Sequence, residues 1–149
     1  MTTPDYDTDF YAWTQTQAAA LQAKDWAALD VAHLAEEIAD VGNALRFTIE
    51  SHLERLLLHL LKWRYDPAQD PRRLWRLTIR HARREIAKRA GGSLQDYPAQ
   101  YLAAAYHLAC EDAADETGLP LTTFPEACPW TPAQVLDPEF WPEPIQGQP

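Results

Sequence analysis

From Leu34 to Trp63, residues suited to a buried face recur in steps of three and four without losing phase: Leu34, Ile38, Val41, Leu45, Ile49, His52, Leu56, His59 and Trp63. Residues so spaced share one face only on an α-helix. Asp30, just before the run, is a good N-cap residue, and the spacing predicts one helix over about residues 31–65. Gly42 falls inside it and costs about 1 kcal/mol against alanine; the unbroken phase carries the helix through. At about 1.5 Å per residue such a helix is about 50 Å long. Its stretch LLLHLL, Leu56–Leu61, is apolar nearly all round. Such a segment needs cover on several sides, so a homodimer through Leu56–Trp63 is one expectation and burial within the chain is the other.

The remaining punctuation is also helical. A first helix is predicted from about Thr8 to Ala23, with Phe10, Trp13, Gln17 and Leu21 on one face, and a single turn over Asp25–Leu29. Asp70-Pro71 supplies an N-cap and first-turn proline for a helix running to about Ala90 and stopping at Gly91-Gly92. Another helix spans about Tyr97–Thr117, with Leu102, Tyr106, Ala109 and Ala113 on one face and Gly118 at its C′ position. Thr131-Pro132 and Asp137-Pro138 read as two short helix starts. Most of the twelve prolines lie after residue 119, so the C-terminal segment is predicted to be largely extended. Its Phe124, Trp130, Phe140 and Trp141 give it a surface with which to wrap over the helices. The expected fold is an all-α bundle of four main helices with a docked proline-rich tail, as a single domain over residues 1–149. A chain of 149 residues is long enough to bury such a core without a metal or disulfide.

Charge is distributed unevenly. The chain is acidic, with formal charge −9, yet eight of its thirteen Lys and Arg residues sit between Arg72 and Arg89. Projected at about 100° per residue, Trp75, Ile79, Ala82 and Ile86 fall in one narrow arc. Arg72, Arg73, Arg76, Arg80, Arg83, Arg84 and Lys88 fall in a second arc about 160° wide, and Arg89 strays from it. One face buries and another is a basic stripe. The stripe can meet the chain's own acids, namely Glu36, Glu37 and Asp40 or Glu111, Asp112, Asp115 and Glu116; exposed pairs of this kind contribute only about 0–1 kcal/mol each. It can instead meet an acidic protein partner, including a second copy. Nucleic acid fits poorly, because no aromatic interleaves the arginines and the rest of the chain is strongly acidic.

Five histidines raise the question of a metal. His52 and His59 are the candidate ligands, on one face but about 10 Å apart along the axis, too far for direct shared ligation without long reach; buried neutral histidines are the plainer reading. His33/Glu37, His81/Glu85 and His107/Glu111 are i, i+4 pairs suited to local contacts on helix flanks. Glu-x-x-His, His-Glu-x-x-His and paired-cysteine motifs do not occur. There is no glycine-rich phosphate loop opening a helix and no nucleophile motif. Cys110, beside Glu111 and Asp112, is placed to have a raised thiol pKa. No catalytic residue and no cofactor are therefore expected. MTTPDYDTDF lacks a basic leader, no apolar run approaches a membrane span, and two cysteines without metal spacing suit reduced thiols, so a cytoplasmic protein without membrane association is expected.

Five stretches together carry a resemblance: YDTDFYAWTQTQAAALQ, LAEEIADVG, LLLHLLKWRY, WRLTIRHARREI and ETGLPLTTFPEACPWTPAQVLDPEFWPE. Over about Tyr6–Glu143 the chain resembles the bacterial family called domain of unknown function twenty-nine. The resemblance implies an all-α fold and brings no activity, cofactor or catalytic residue. It directs attention to Trp63 and Trp75, expected to pack together where the long helix meets the basic one, with Lys62 or Arg64 beside Trp63. The favoured function is a non-catalytic protein-interaction module acting through Arg72–Lys88; the alternative is a metal-binding bundle using His52 and His59.

Overall fold

The structure, a computed structural model, describes residues 4–68 and 71–145. Its regular elements are helices: α1 (Phe10–Gln22), α2 (Val31–Tyr65), α3 (Arg72–Arg89), α4 (Tyr97–Thr117) and the short α5 (Pro132–Leu136), with single 3-10 turns at Trp26–Ala28, Gly92–Leu94 and Leu121–Thr123. The expected four main helices are present, and α2 is continuous through Gly42. The chain forms two compact units, Met1–Ala44 and Leu45–Pro149.

In the first unit, Asp9 caps α1 by accepting from the Ala12 amide at 3.1 Å. The buried face of α1 is Trp13, Gln17 and Ala20, whereas Phe10 and Leu21, expected on that face, are exposed. Gln17 explains the rotation. Its side-chain nitrogen donates to the Ala28 carbonyl and its oxygen accepts from the Asp30 amide at 2.8 Å, so a polar side chain is buried because it satisfies the backbone of the connection. Helix α1 ends with Lys24 in the left-handed region, φ 58°, where the Asp25 amide donates to the Ala20 carbonyl and the Lys24 amide to Leu21. That is a Schellman ending with lysine where glycine is usual. Asp30 caps α2 as expected, accepting from the His33 amide. Its carboxylate also takes the Trp13 indole N–H at 3.1 Å and His33 Nδ1 at 2.7 Å. Tyr6 stacks on His33 and donates its hydroxyl proton to Glu37. Thus Glu37 serves Tyr6, and His33 turns to Asp30.

In the second unit, the C-terminal half of α2 is the central rod. Ile49, Leu53, Leu56, Leu57, Leu60 and Leu61 have no exposed surface. They pack in one cluster with Ile79, Ala82 and Ile86 of α3, with Leu102, Ala105, Tyr106 and Ala109 of α4, and with Phe124, Trp130 and Val135 of the tail. The leucines of LLLHLL are therefore covered within the chain itself. The predicted stripe does not bury along its whole length. Ile38, Val41 and Leu45 are 71%, 68% and 47% exposed, and burial becomes continuous only from Ile49, where α3, α4 and the tail lie against the rod.

The tail docks through its aromatics, as expected: Phe124 and Trp130 are buried, and the Tyr106 hydroxyl donates to the Pro125 carbonyl at 2.6 Å. A capping box joins Thr131 and Gln134 at the start of α5. Asp137-Pro138 opens a turn instead of a helix, closed by the Phe140 amide on the Asp137 carbonyl at 3.1 Å. Gly118 ends α4 at φ 73°. Helix α3 is flanked by Pro71 and begins at Arg72; the expected cap, Asp70, lies outside the described residues. Among the described residues, no helix is long and apolar enough to cross a membrane.

Candidate functional site

The basic stripe of α3 splits into two sets. Arg72, Arg83 and Arg76 lie at the edge of the arc nearest the buried face, roughly 60–100° on the helical projection; Arg80, Arg73, Arg84 and Lys88 follow at roughly 140–220°.

The first set is taken up by aromatic rings of the same chain. The Arg72 guanidinium lies 5.1 Å from the Trp63 ring centre. Arg76 and Arg83 lie 5.2 and 5.4 Å from that of Trp141, and the Trp63 and Trp141 rings are themselves 5.0 Å apart. The result is a ladder of rings and guanidiniums that ties the end of the tail to α2 and α3. Trp63 therefore meets Trp141, and Trp75 lies under Lys62 at 5.1 Å; Arg64 sits over Tyr65. Two backbone links reinforce the ladder: the Ile145 amide donates to the Arg64 carbonyl at 2.7 Å, and Arg64 Nη1 donates to the Glu143 carbonyl at 2.7 Å.

Arg83 is the most unusual member, only 4% exposed. Its Nε donates to the Val135 carbonyl at 2.9 Å and its Nη2 to the Phe140 carbonyl at 2.8 Å. Its Nη1 is buried without a partner among the described residues. Burial pulls this guanidinium down to about 10, against a weaker upward pull from Asp137, so it carries its charge at neutral pH. Arg83 thus belongs to the architecture more than to the surface.

The second set faces outward: Arg73, Arg80, Arg84 and Lys88 are exposed. Lys88 reaches Glu85 at 3.0 Å and Arg89 reaches the same carboxylate at 2.5 Å. These bonds hold the Glu85 carboxyl down at about 2. His81, the expected partner of Glu85, sits with its ring 5.8 Å from that of His52 instead. Within the second unit, no described carboxylate forms an ion pair with Arg73, Arg76, Arg80 or Arg84. Of the acids of α4, Glu116 is held by Lys62 at 2.8 Å.

Beside the outward set is a cavity of about 390 Å³, lined by Arg80, Arg83, Arg84 and Ala87 of α3 and by Leu136, Pro138 and Glu139 after α5. The aromatic tail was a sequence signal for docking. That its carbonyls would enclose one particular arginine was not visible there.

The two candidate metal ligands do not converge. His59 Nδ1 is 2.8 Å from the carbonyl of Arg55 on its own helix, while His52 sits beside His81. Burial lowers the pKa of both His52 and His59, which keeps the rings neutral at pH 7. Neutral His59 then carries its proton on Nδ1, donating to that carbonyl. Among the described residues, no group of three or more His, Cys, Asp and Glu side chains is placed to hold a metal ion. Both cysteines are free, and burial pushes both thiols up, with Glu111 adding to the effect on Cys110 as the sequence suggested. Raised thiols are poor nucleophiles. A larger cavity, about 560 Å³, is bounded by His107, Cys110, Glu111, Phe124 and Glu126 among others and has no cation in its wall.

No curated protein and no solved structure matches the chain. A family match covers residues 6–141, nearly the span over which the sequence carries its resemblance. The chain belongs to the family described as domain of unknown function DUF29.

Proposed function

We propose that the chain is a non-catalytic protein-interaction module of the bacterial cytoplasm, whose docking face is the outer set of α3: Arg73, Arg80, Arg84 and Lys88. The observation that carries this reading is the separation of the stripe into arginines answered by rings and carbonyls of α2 and the tail and arginines answered by no described carboxylate of the second unit. A row of exposed guanidiniums on a rigid helix, in a protein whose net charge is −9, is a local attractor for an acidic segment of another protein. Arginine forks pair with carboxylates in a bidentate geometry, and such complementarity governs partner choice and association rate more than total affinity.

The test is native mass spectrometry on untagged protein taken gently from its own cells, compared with an Arg73→Glu, Arg80→Glu variant. The expected result is a partner mass with the parent protein that dissociates at raised salt and is lost in the variant, with unchanged helical circular dichroism. A partner mass that persists in the variant, or a bare monomer from parent cells, overturns the reading. A gel shift with DNA or RNA at low salt, abolished by the same variant, would replace the protein partner with nucleic acid.

A further inference from the structure

We propose that the cavity between the C-terminal half of α3 and the turn following α5 is an oxyanion site that takes a phosphomonoester group. This rests on the reading of α3 as a recognition face and names the chemistry its focal point would bind.

Three observations meet there. First, Arg80, Arg83 and Arg84 line one cavity with a single acidic residue, Glu139, and Glu139 forms no ion pair with them among the described residues. Second, Arg83 is 4% exposed and has two of its nitrogens fixed on the Val135 and Phe140 carbonyls. Its Nη1 is buried with no acceptor among the described residues. A buried donor without an acceptor is destabilising, more so when it carries charge, and native proteins rarely leave one unanswered. Third, the cavity of about 390 Å³ has an apolar side made by Ala87, Leu136 and Pro138. It therefore offers room and contact for an organic group attached to the anion.

Three cations in the wall outnumber the carboxylates near them, Glu139 in the wall and Asp137 acting on Arg83, so the site favours an anion. A phosphate monoester carries about −1.5 to −2 at pH 7. Its tetrahedral oxygens accept from donors arriving in several directions, and arginine forks suit them. The phosphoryl group would belong either to a small organic phosphate or to a phosphorylated side chain of the partner protein; the chemistry recognised is the same.

The experiment is calorimetric titration of the full chain with inorganic phosphate, phenyl phosphate and a short phosphoserine peptide. Ionic strength is held constant, and chloride and acetate serve as controls. Saturable one-to-one binding is expected, with phenyl phosphate tighter than inorganic phosphate because of the apolar wall. Arg84→Gln should weaken phenyl phosphate about tenfold, the loss of one charge-assisted contact, whereas Arg73→Gln, outside the cavity, should not change it. A phosphoserine peptide binding well above phenyl phosphate assigns the group to a partner protein; the reverse order assigns it to a small molecule. Absence of saturable phosphate binding, equal binding of acetate, or indifference to Arg84→Gln in a folded variant each overturns the proposal. If phosphate fails while a partner mass is still lost in the Arg73→Glu, Arg80→Glu variant, the oxyanion site falls and the interaction module stands. If phosphate binds to a chain that captures no partner, the opposite holds.

Discussion

Replacing Arg83 with methionine tests whether the tail is held by one buried arginine. The Arg83→Met side chain keeps much of the stem and packs in the same space, but it loses the donors to the Val135 and Phe140 carbonyls. Hydrogen bonds from a charged donor contribute roughly 1.5–3 kcal/mol each, so the gross loss is about 3–6 kcal/mol. Part of it returns, because a buried guanidinium with an unpartnered nitrogen is itself costly to keep. A net loss of about 2–4 kcal/mol follows. For a unit of this size each kcal/mol moves the melting point by about 4–8 °C, which gives a drop of roughly 10–30 °C. Urea unfolding followed by tryptophan fluorescence is the suitable assay, since Trp141 lies directly on Arg83 and reports release of the tail. Arg84→Met, one residue along and exposed, is the control and should stay within about 0.5 kcal/mol of the parent. If Arg83→Met unfolds with the same midpoint as that control, Arg83 does not anchor the tail and the division of the basic stripe is wrong.

Three further outcomes are expected. Gly42→Ala should stabilise α2 by about 1 kcal/mol, because a Cβ at that helical position meets nothing within 4 Å; an unchanged or lower melting temperature by circular dichroism would count against an unstrained helix there. In an NMR titration, His33 should protonate above its ordinary value, since Asp30 holds its charged form. His52 and His59 should protonate below theirs because of burial. The His33–Asp30 pair thus adds stability that is fully present below pH 6.5 for as long as Asp30 is ionised, and is lost as pH rises through the His33 midpoint or falls through the lowered Asp30 one. The two partly buried rings act oppositely, adding stability above pH 6.5 that is lost as pH falls through their own midpoints; a reversed order of midpoints contradicts both environments. Finally, a chelator should leave the melting temperature unchanged, because His52 and His59 are not joined by a third ligand among the described residues; a drop of several degrees would restore the metal-binding reading.

Helix positions were legible because their signals are local. The phase of the long stripe, Asp30 before it, Gly118 after α4 and the Thr131 capping box all act within a few residues of the element they define. Burial was less legible where it depends on what arrives from far along the chain. Ile38 and Val41 share the phase of Ile49 and Leu56, yet periodicity says only which residues share a face, not how far along the rod that face is covered. Gln17 displaced Phe10 and Leu21 from the buried face of α1 because two backbone groups of the connection needed its amide, a demand no hydropathy pattern records. The basic stripe reads in the sequence as one arc. Its partition between structure and surface was invisible, since the groups that claim Arg83 are carbonyls 52 and 57 residues downstream, and every residue type has a carbonyl.

That separation also sets an order of events during synthesis. A ribosome adding about 5–20 residues per second needs roughly 3 to 11 s to move from Arg83 to Phe140. Before that interval ends the apolar faces of α2, α3 and α4 are all made, while Arg83 still lacks the Phe140 carbonyl and keeps water in its place. Closure of the tail must strip that water in the same step that seats Trp130 and Trp141. A nascent chain paused between α4 and α5 would therefore hold a more strongly basic α3 than the finished protein, with Arg76 and Arg83 in water beside the outward set.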